Sequence, residues 1–137
     1  MDKRILMLRI SYWVGAVIDA FAVVPLIFPR IHAFIYSIPV FEVTPVINNI
    51  AYIGAALMLG WTVLLIWADR KPMERKGVLP ITVLPVVAGI ACSSIYLVAE
   101  GVIKLSSIMP TLVMQACITG LFLFSYCFAS AAKKQGR

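Results

Sequence analysis

Four stretches, residues 10–28, 46–67, 78–99 and 108–132, are apolar on nearly every helical face. Each is long enough to cross a hydrocarbon core, which takes about 20 mostly apolar residues in a helix. None alternates polar and apolar residues with the period of two that a membrane strand shows. Their backbone polar groups must therefore be satisfied within helices. The expected fold is all-α: a polytopic membrane protein with a four-transmembrane-helix bundle, residues 1–137 forming a single domain. The turn from Ala68 to Gly77 is charged and broken by Pro72 and Gly77, which makes spans two and three antiparallel neighbours. The segment 29–45 is too apolar for a solvated loop and too interrupted by proline for a fifth span. Phe34, Ile38 and Phe41 recur there at helical spacing, which predicts a short apolar interfacial element in the first outer loop.

Composition agrees with this pattern. The 137 residues are 62% hydrophobic and 13% charged, with a mean hydropathy of +0.98. A soluble domain carries about 45–50% apolar and about 25% charged residues, so a water-soluble globule is excluded. The net charge of +6 does not point to nucleic acid, because the basic residues do not cluster on a polar scaffold. They sort by loop instead. Ten of them (Lys3, Arg4, Arg9, Arg70, Lys71, Arg75, Lys76, Lys133, Lys134, Arg137) fall on one side of the spans, and only Arg30 and Lys104 on the other. The positive-inside rule then makes both termini cytoplasmic. The expected location is a multi-pass position in a membrane, the cell inner membrane if the source is prokaryotic. A competing reading takes Met1–Arg9 as the basic start of a signal peptide with Ala20-Phe21-Ala22 at its cleavage site; the apolar run continues through Phe28, which favours a retained span.

Prolines mark the helices. Pro80 and Pro110 are expected in first turns, where a missing N–H is harmless, whereas Pro85 should kink span three and Pro25 should bend or end span one. Trp61 and Trp67 are read as interfacial aromatics near the basic turn. Cys92, Cys117 and Cys127 fall within spans without a C-x-x-C pair. They read as small buried hydrophobes, with a Cys92–Cys117 contact the sharper alternative. His32 is the single histidine, so no haem, zinc or other metal site is expected, and no cofactor.

The informative residue is Asp19. It lies ten positions from both Arg9 and Pro29, so about 15 Å from either, near the bilayer midplane. An aspartate there costs about 2.5–3.5 kcal/mol on insertion scales and is by default a functional candidate. It shares a face with Tyr12, Gly15, Ala22 and Leu26, and the small residues Ala16 and Ala20 beside it allow another helix close. No cation lies at its depth, which makes the neutral acid the cheaper form. Such an acid can donate one hydrogen bond, exchange a proton, or bind a cation in the proton's place.

Other polar residues recur at helical spacing in the same half of the spans. Span two carries Asn48, Asn49, Tyr52, Ala56 and Gly60; span three Gly89, Ser93, Tyr96 and Glu100; span four Thr111, Gln115, Thr119, Phe122 and Tyr126. The expectation is one polar, ligand-binding cavity lined by Asp19, Asn49, Tyr52, Ser93, Tyr96, Glu100, Gln115 and Thr119. It would open to the outer face and close on the cytoplasmic side, with Asp19 as floor and Glu100 as rim. For Ser93, Gln115 and Thr119 taken singly, interhelical hydrogen bonding is the plainer explanation.

Three function classes follow. The preferred one is a non-enzymatic binding or transport protein for a hydrophobic or cationic amphipathic molecule, its partner otherwise the lipid bilayer. Homo-oligomerisation through Ala16/Ala20 and Ala56/Gly60 is open. The alternatives are an intramembrane lipid- or sterol-modifying enzyme of the isomerase kind, and an accessory or structural subunit of a membrane complex. Four spans with Tyr12, Asp19, Pro29 and Arg30 in and after the first resemble the emopamil-binding and sterol-isomerase family. The likeness ends with span one, so it carries over no catalytic residue and assigns no family.

Overall fold

In a computed structural model the chain is described over residues 2–38 and 42–131. Those residues form helices and connecting turns, without strands. We label the helices α1 (Lys3–Ile27), α2 (Pro29–Ile35), α3 (Pro45–Asp69), α4 (Val78–Ala99) and α5 (Leu105–Ala131). All but α2 are long and apolar enough to cross a membrane.

Helix ends follow local chemistry. The Asp2 side chain accepts from the Arg4 N–H and starts α1 seven residues before the expected apolar run. Pro25 does not stop α1, which runs two residues further before Phe28 leaves the helical conformation ahead of Pro29. Thr44 caps α3 through the Ile47 N–H, with Pro45 in the first turn. Gly101, at φ +70°, closes α4 in the left-handed conformation that lacks strain only for glycine. Pro110 lies inside α5 rather than in its first turn, because that helix starts at Leu105.

Pro85 acts as expected but in a particular form. Residues Thr82–Val87 of α4 are a π-helix. Proline offers no N–H to the fourth carbonyl before it, and a widened turn accommodates the missing bond. Between the first two spans the predicted short element is α2, which includes Phe34, 85% exposed. Ile38 lies beyond its end, and Phe41 lies outside the described residues.

Helix order in space is set by α1. It packs along α3 over most of its length and against α5 on its other flank, and α4 packs on α5. The α1–α3 pair is antiparallel: Arg9 meets Asp69 at one end and Leu26 lies by Gly54 at the other. Ser11 meets Ser125 in the antiparallel α1–α5 pair. Leu8, Tyr12, Ala16, Leu65, Leu79, Ile118, Phe122 and Ala129 form the core. Gly15 is required there. A Cβ at that position would stand 2.7 Å from Phe122 Cζ and 3.1 Å from Leu65 Cδ1, so its absence lets three helices close. The ring of four long helices is left unsealed between α3 and α4.

Candidate functional site

Side-chain bonding concentrates at the end holding Arg9, Asp69 and the 70–77 turn, here called the basic end. Asp69, buried at the last turn of α3, accepts from Arg9 Nε at 2.9 Å, Arg9 Nη2 at 3.2 Å and Trp13 Nε1 at 3.2 Å. Tyr12 donates to the Arg75 carbonyl at 3.0 Å. The Arg75 guanidinium donates to the Trp67 carbonyl and sits 3.3 Å over the Trp67 ring. Lys76 donates to Ser130 at 2.9 Å, and Ser11 and Ser125 share a hydrogen bond at 2.7 Å. Composition alone assigned Asp69 to the turn. The signal for its true place was its register: antiparallel neighbours bring the end of span two beside the start of span one.

At mid-depth the unsealed seam between α3 and α4 forms a cleft of about 480 Å³. It is lined by Gly54, Leu57, Met58 and Trp61 of α3, and across from them by Pro85, Val86, Gly89, Ile90 and Ser93 of α4. The wall is apolar. Its single hydroxyl, Ser93, donates to the Ile90 carbonyl within its own helix. Trp61 Nε1 donates to Thr82 Oγ1 at 3.1 Å, which ties α3 to α4 at the cleft's deeper end. Trp61 is thus a half-buried core-side group, not the boundary aromatic the sequence suggests.

Asp19 lies on the stripe of α1 that turns inward, with Leu8, Tyr12, Ala16 and Val23. The Ser11–Ser125 and Gly15–Phe122 contacts, continued by one turn, set Asp19 level with Ile118 of α5, one turn from Gln115. On α3, the Gly15–Leu65 and Leu26–Gly54 contacts set it level with Trp61. Among the described residues, two buried side-chain oxygens have no hydrogen-bond partner: Asp19 Oδ2 and Gln115 Oε1. Gln115 is 8% exposed. An unmade bond at such a buried acceptor costs about 1–3 kcal/mol, so these two atoms mark an unmet chemical demand in the middle of the bundle.

The eight residues expected around one cavity are distributed differently. Asp19 and Gln115 face inward in adjacent turns, and Thr119 is half-buried beside Ile118. Ser93 lines the cleft, which Asp19 does not. Asn49 and Glu100 are exposed, Tyr52 is 53% exposed and Tyr96 61% exposed. These four lie near the far ends of α3 and α4, where tyrosines suit a headgroup layer. α3 turns the opposite stripe inward, through Ala55, Thr62, Leu65 and Ala68. The three cysteines are free and exposed, so they are neither buried packing groups nor a bonded pair. His32 packs against Tyr36 with ring centroids 4.6 Å apart and the rings tilted by 37°, and burial pushes its imidazole down from the ordinary range. Among the described residues no three His, Cys, Asp or Glu side chains gather to hold a metal ion. Compared with known protein families, curated proteins and solved structures, the chain matches none of them.

Proposed function

We propose that this is a small multi-pass membrane binding protein that takes an amphipathic molecule from the bilayer into the seam between α3 and α4. The basic end faces the cytoplasm, in line with the distribution of lysine and arginine. The observation that carries the reading is the open, apolar cleft at mid-depth, whose deeper end is level with Asp19 and its buried oxygen that lacks a donor. Its volume falls in the range of about 300–1,000 Å³ usual for small-molecule sites. An apolar body fits the Leu57, Met58, Val86 and Ile90 walls, with Asp19 behind the deeper end of the cleft rather than in its lining. The bonded basic end supports binding over passage, since transport would require Arg9, Trp13 and Tyr12 to leave their partners.

The test uses purified protein in nanodiscs, with dodecylamine and dodecanol as probes. Binding is read from melting temperature and from the emission that Trp61→Phe removes. Ligand that binds the folded state raises its stability by RT ln(1 + [L]/Kd). Both probes are expected to act through the cleft, and Gly89→Leu should abolish the effect of either. A Cβ at Gly89 meets nothing within 4 Å, so the larger side chain fills the cleft without a clash. Absence of any response to both probes, or a full response in Gly89→Leu, overturns the proposal.

A further inference from the structure

Gln115 is more than a neighbour in level to Asp19; its chemistry gives it a specific task. The two orphan atoms are both oxygens, on adjacent levels of the packed α1–α5 pair, and both are inaccessible. Two acceptors facing a common interior cannot satisfy each other. A single proton resolves both deficits: carried on Asp19, it turns one carboxyl oxygen into a donor and gives Gln115 Oε1 the bond it lacks. We propose that Asp19 and Gln115 together form a one-proton site, in which the Asp19 acid donates to Gln115 Oε1 and the Gln115 amide turns to donate from Nε2 when the proton is gone. This rests on the same Asp19 as the function proposed above and adds the partner that lets it change charge state.

Glutamine suits this task because its amide accepts at one atom and donates at the other. With the acid neutral, O–H points to the amide oxygen. Loss of the proton to water leaves a carboxylate, and a half-turn about the Cγ–Cδ bond of the glutamine places an N–H against it. The pair keeps one hydrogen bond between its side chains in both states, so ionisation exchanges the donor rather than breaking the contact. A leucine or methionine at 115 could serve neither state, and a second acid would add a repelling charge.

Surrounding groups leave the proton to this pair. Among the described residues of the helices packed against α1, the titratable or charged side chains are Arg30 and His32 of α2 with Tyr36 at its end, Tyr52 and Asp69 of α3, and Cys117, Tyr126 and Cys127 of α5. Register puts all but Cys117 at least a turn away from Asp19, and Cys117 is exposed on the outer face of α5. On α1 itself, Lys3, Arg4 and Arg9 lie at the basic end, Arg9 held by Asp69, and Tyr12 bonds the Arg75 carbonyl there.

Infrared difference spectroscopy on the full chain in nanodiscs, titrated between acid and alkaline pH, tests this directly. The wild type should show a protonated carboxyl C=O band at the hydrogen-bonded position, and Asp19→Asn should remove it. Gln115→Leu should move that band to the non-bonded position and shift the midpoint at which it disappears. Should Gln115→Leu fail to fold, side-chain-labelled glutamine in a Gln135→Ala background, which leaves Gln115 as the sole glutamine, reports the same bond from the amide. Its band should change as the carboxyl titrates. A carboxyl band unmoved by Gln115→Leu, a labelled amide silent through the titration, or no Asp19 acid band at any pH overturns the proposal. None of these readouts involves the cleft, so its failure and that of the ligand-binding reading are distinguishable.

Discussion

The two halves of the bundle are built to different standards. Toward the basic end, α1, α3 and α5 meet at Gly15 without a gap, and charged and hydroxyl groups are cross-bonded between helices. Toward the far end, side-chain bonds among the described residues are confined to local ones such as Ser93 to Ile90 and the Thr44 cap, and a cleft separates α3 from α4. The lesson is that helix association here is anchored at one end, which leaves the other free to present a concave, apolar surface. Small residues and polar bonds, rather than burial of apolar surface, are what hold helices together in lipid, and among the described residues the polar bonds between helices gather in one half.

The sharpest way to break that contrast is overpacking. Gly15→Val should cost about 1–3 kcal/mol, at the upper end because the Phe122 ring it meets is itself buried. Gly89→Val, in the cleft wall where a Cβ meets nothing within 4 Å, should fall within about 0.5 kcal/mol of wild type. Equal losses in denaturant unfolding would erase the distinction between the halves. Asp69→Asn comes next, weakening two Arg9 bonds and one from Trp13. Bonds to charged groups are worth about 1.5–3 kcal/mol, and the low end applies because the Arg9 side chain is half exposed to screening. The loss should shrink in high salt.

Smaller still is Ser125→Ala. Interhelical hydrogen bonds in a bilayer average about 0.6 kcal/mol, reaching about 1.7, and the double variant with Ser11→Ala should cost little more than either alone. Thr82→Ala removes the bond that closes the cleft's deeper end. Its expected signature is a shift in the emission that Trp61→Phe abolishes, with a melting temperature close to wild type. The smallest effect belongs to the far end. Burial lowers the affinity of His32 for a proton, so the unfolded chain takes up protons first as the solution is acidified. Stability should be whole above the ordinary imidazole range and decline slightly as pH falls through about 6.5. His32→Phe should flatten that slope in thermal melts across pH.

How much of this could be read from residues alone divides along physical lines. Span number, the proline-broken segment after span one and the inward face of Asp19 were legible, because each follows from hydropathy, missing donors or the 100° step of a helix. The facing of spans two and three was not. Asn49 and Tyr52 share a stripe with Ala56 and Gly60, and a stripe of polar and small residues looks like an interior one. Yet near a headgroup layer polar side chains have water to bond, so the rule that polar means inward lapses there. Trp61 misled for the converse reason: an indole was assumed to want the interface, and it found a threonine hydroxyl at mid-depth instead. Asp69 was hidden because an ion pair depends on two helices' relative register, which no single-segment pattern contains.

The Arg9–Asp69 bridge also bears on how such a chain is made. It joins the start of the first long helix to the close of the second, along the most extensive helix interface among the described residues. Chains mature from the N-terminal side during synthesis, so α1 and α3 can leave the ribosome, enter the bilayer and clasp each other as a hairpin while α4 and α5 are still being translated. The later pair then docks onto a finished template, and the seam that stays open is the one between the last segment of the early pair and the first of the late one.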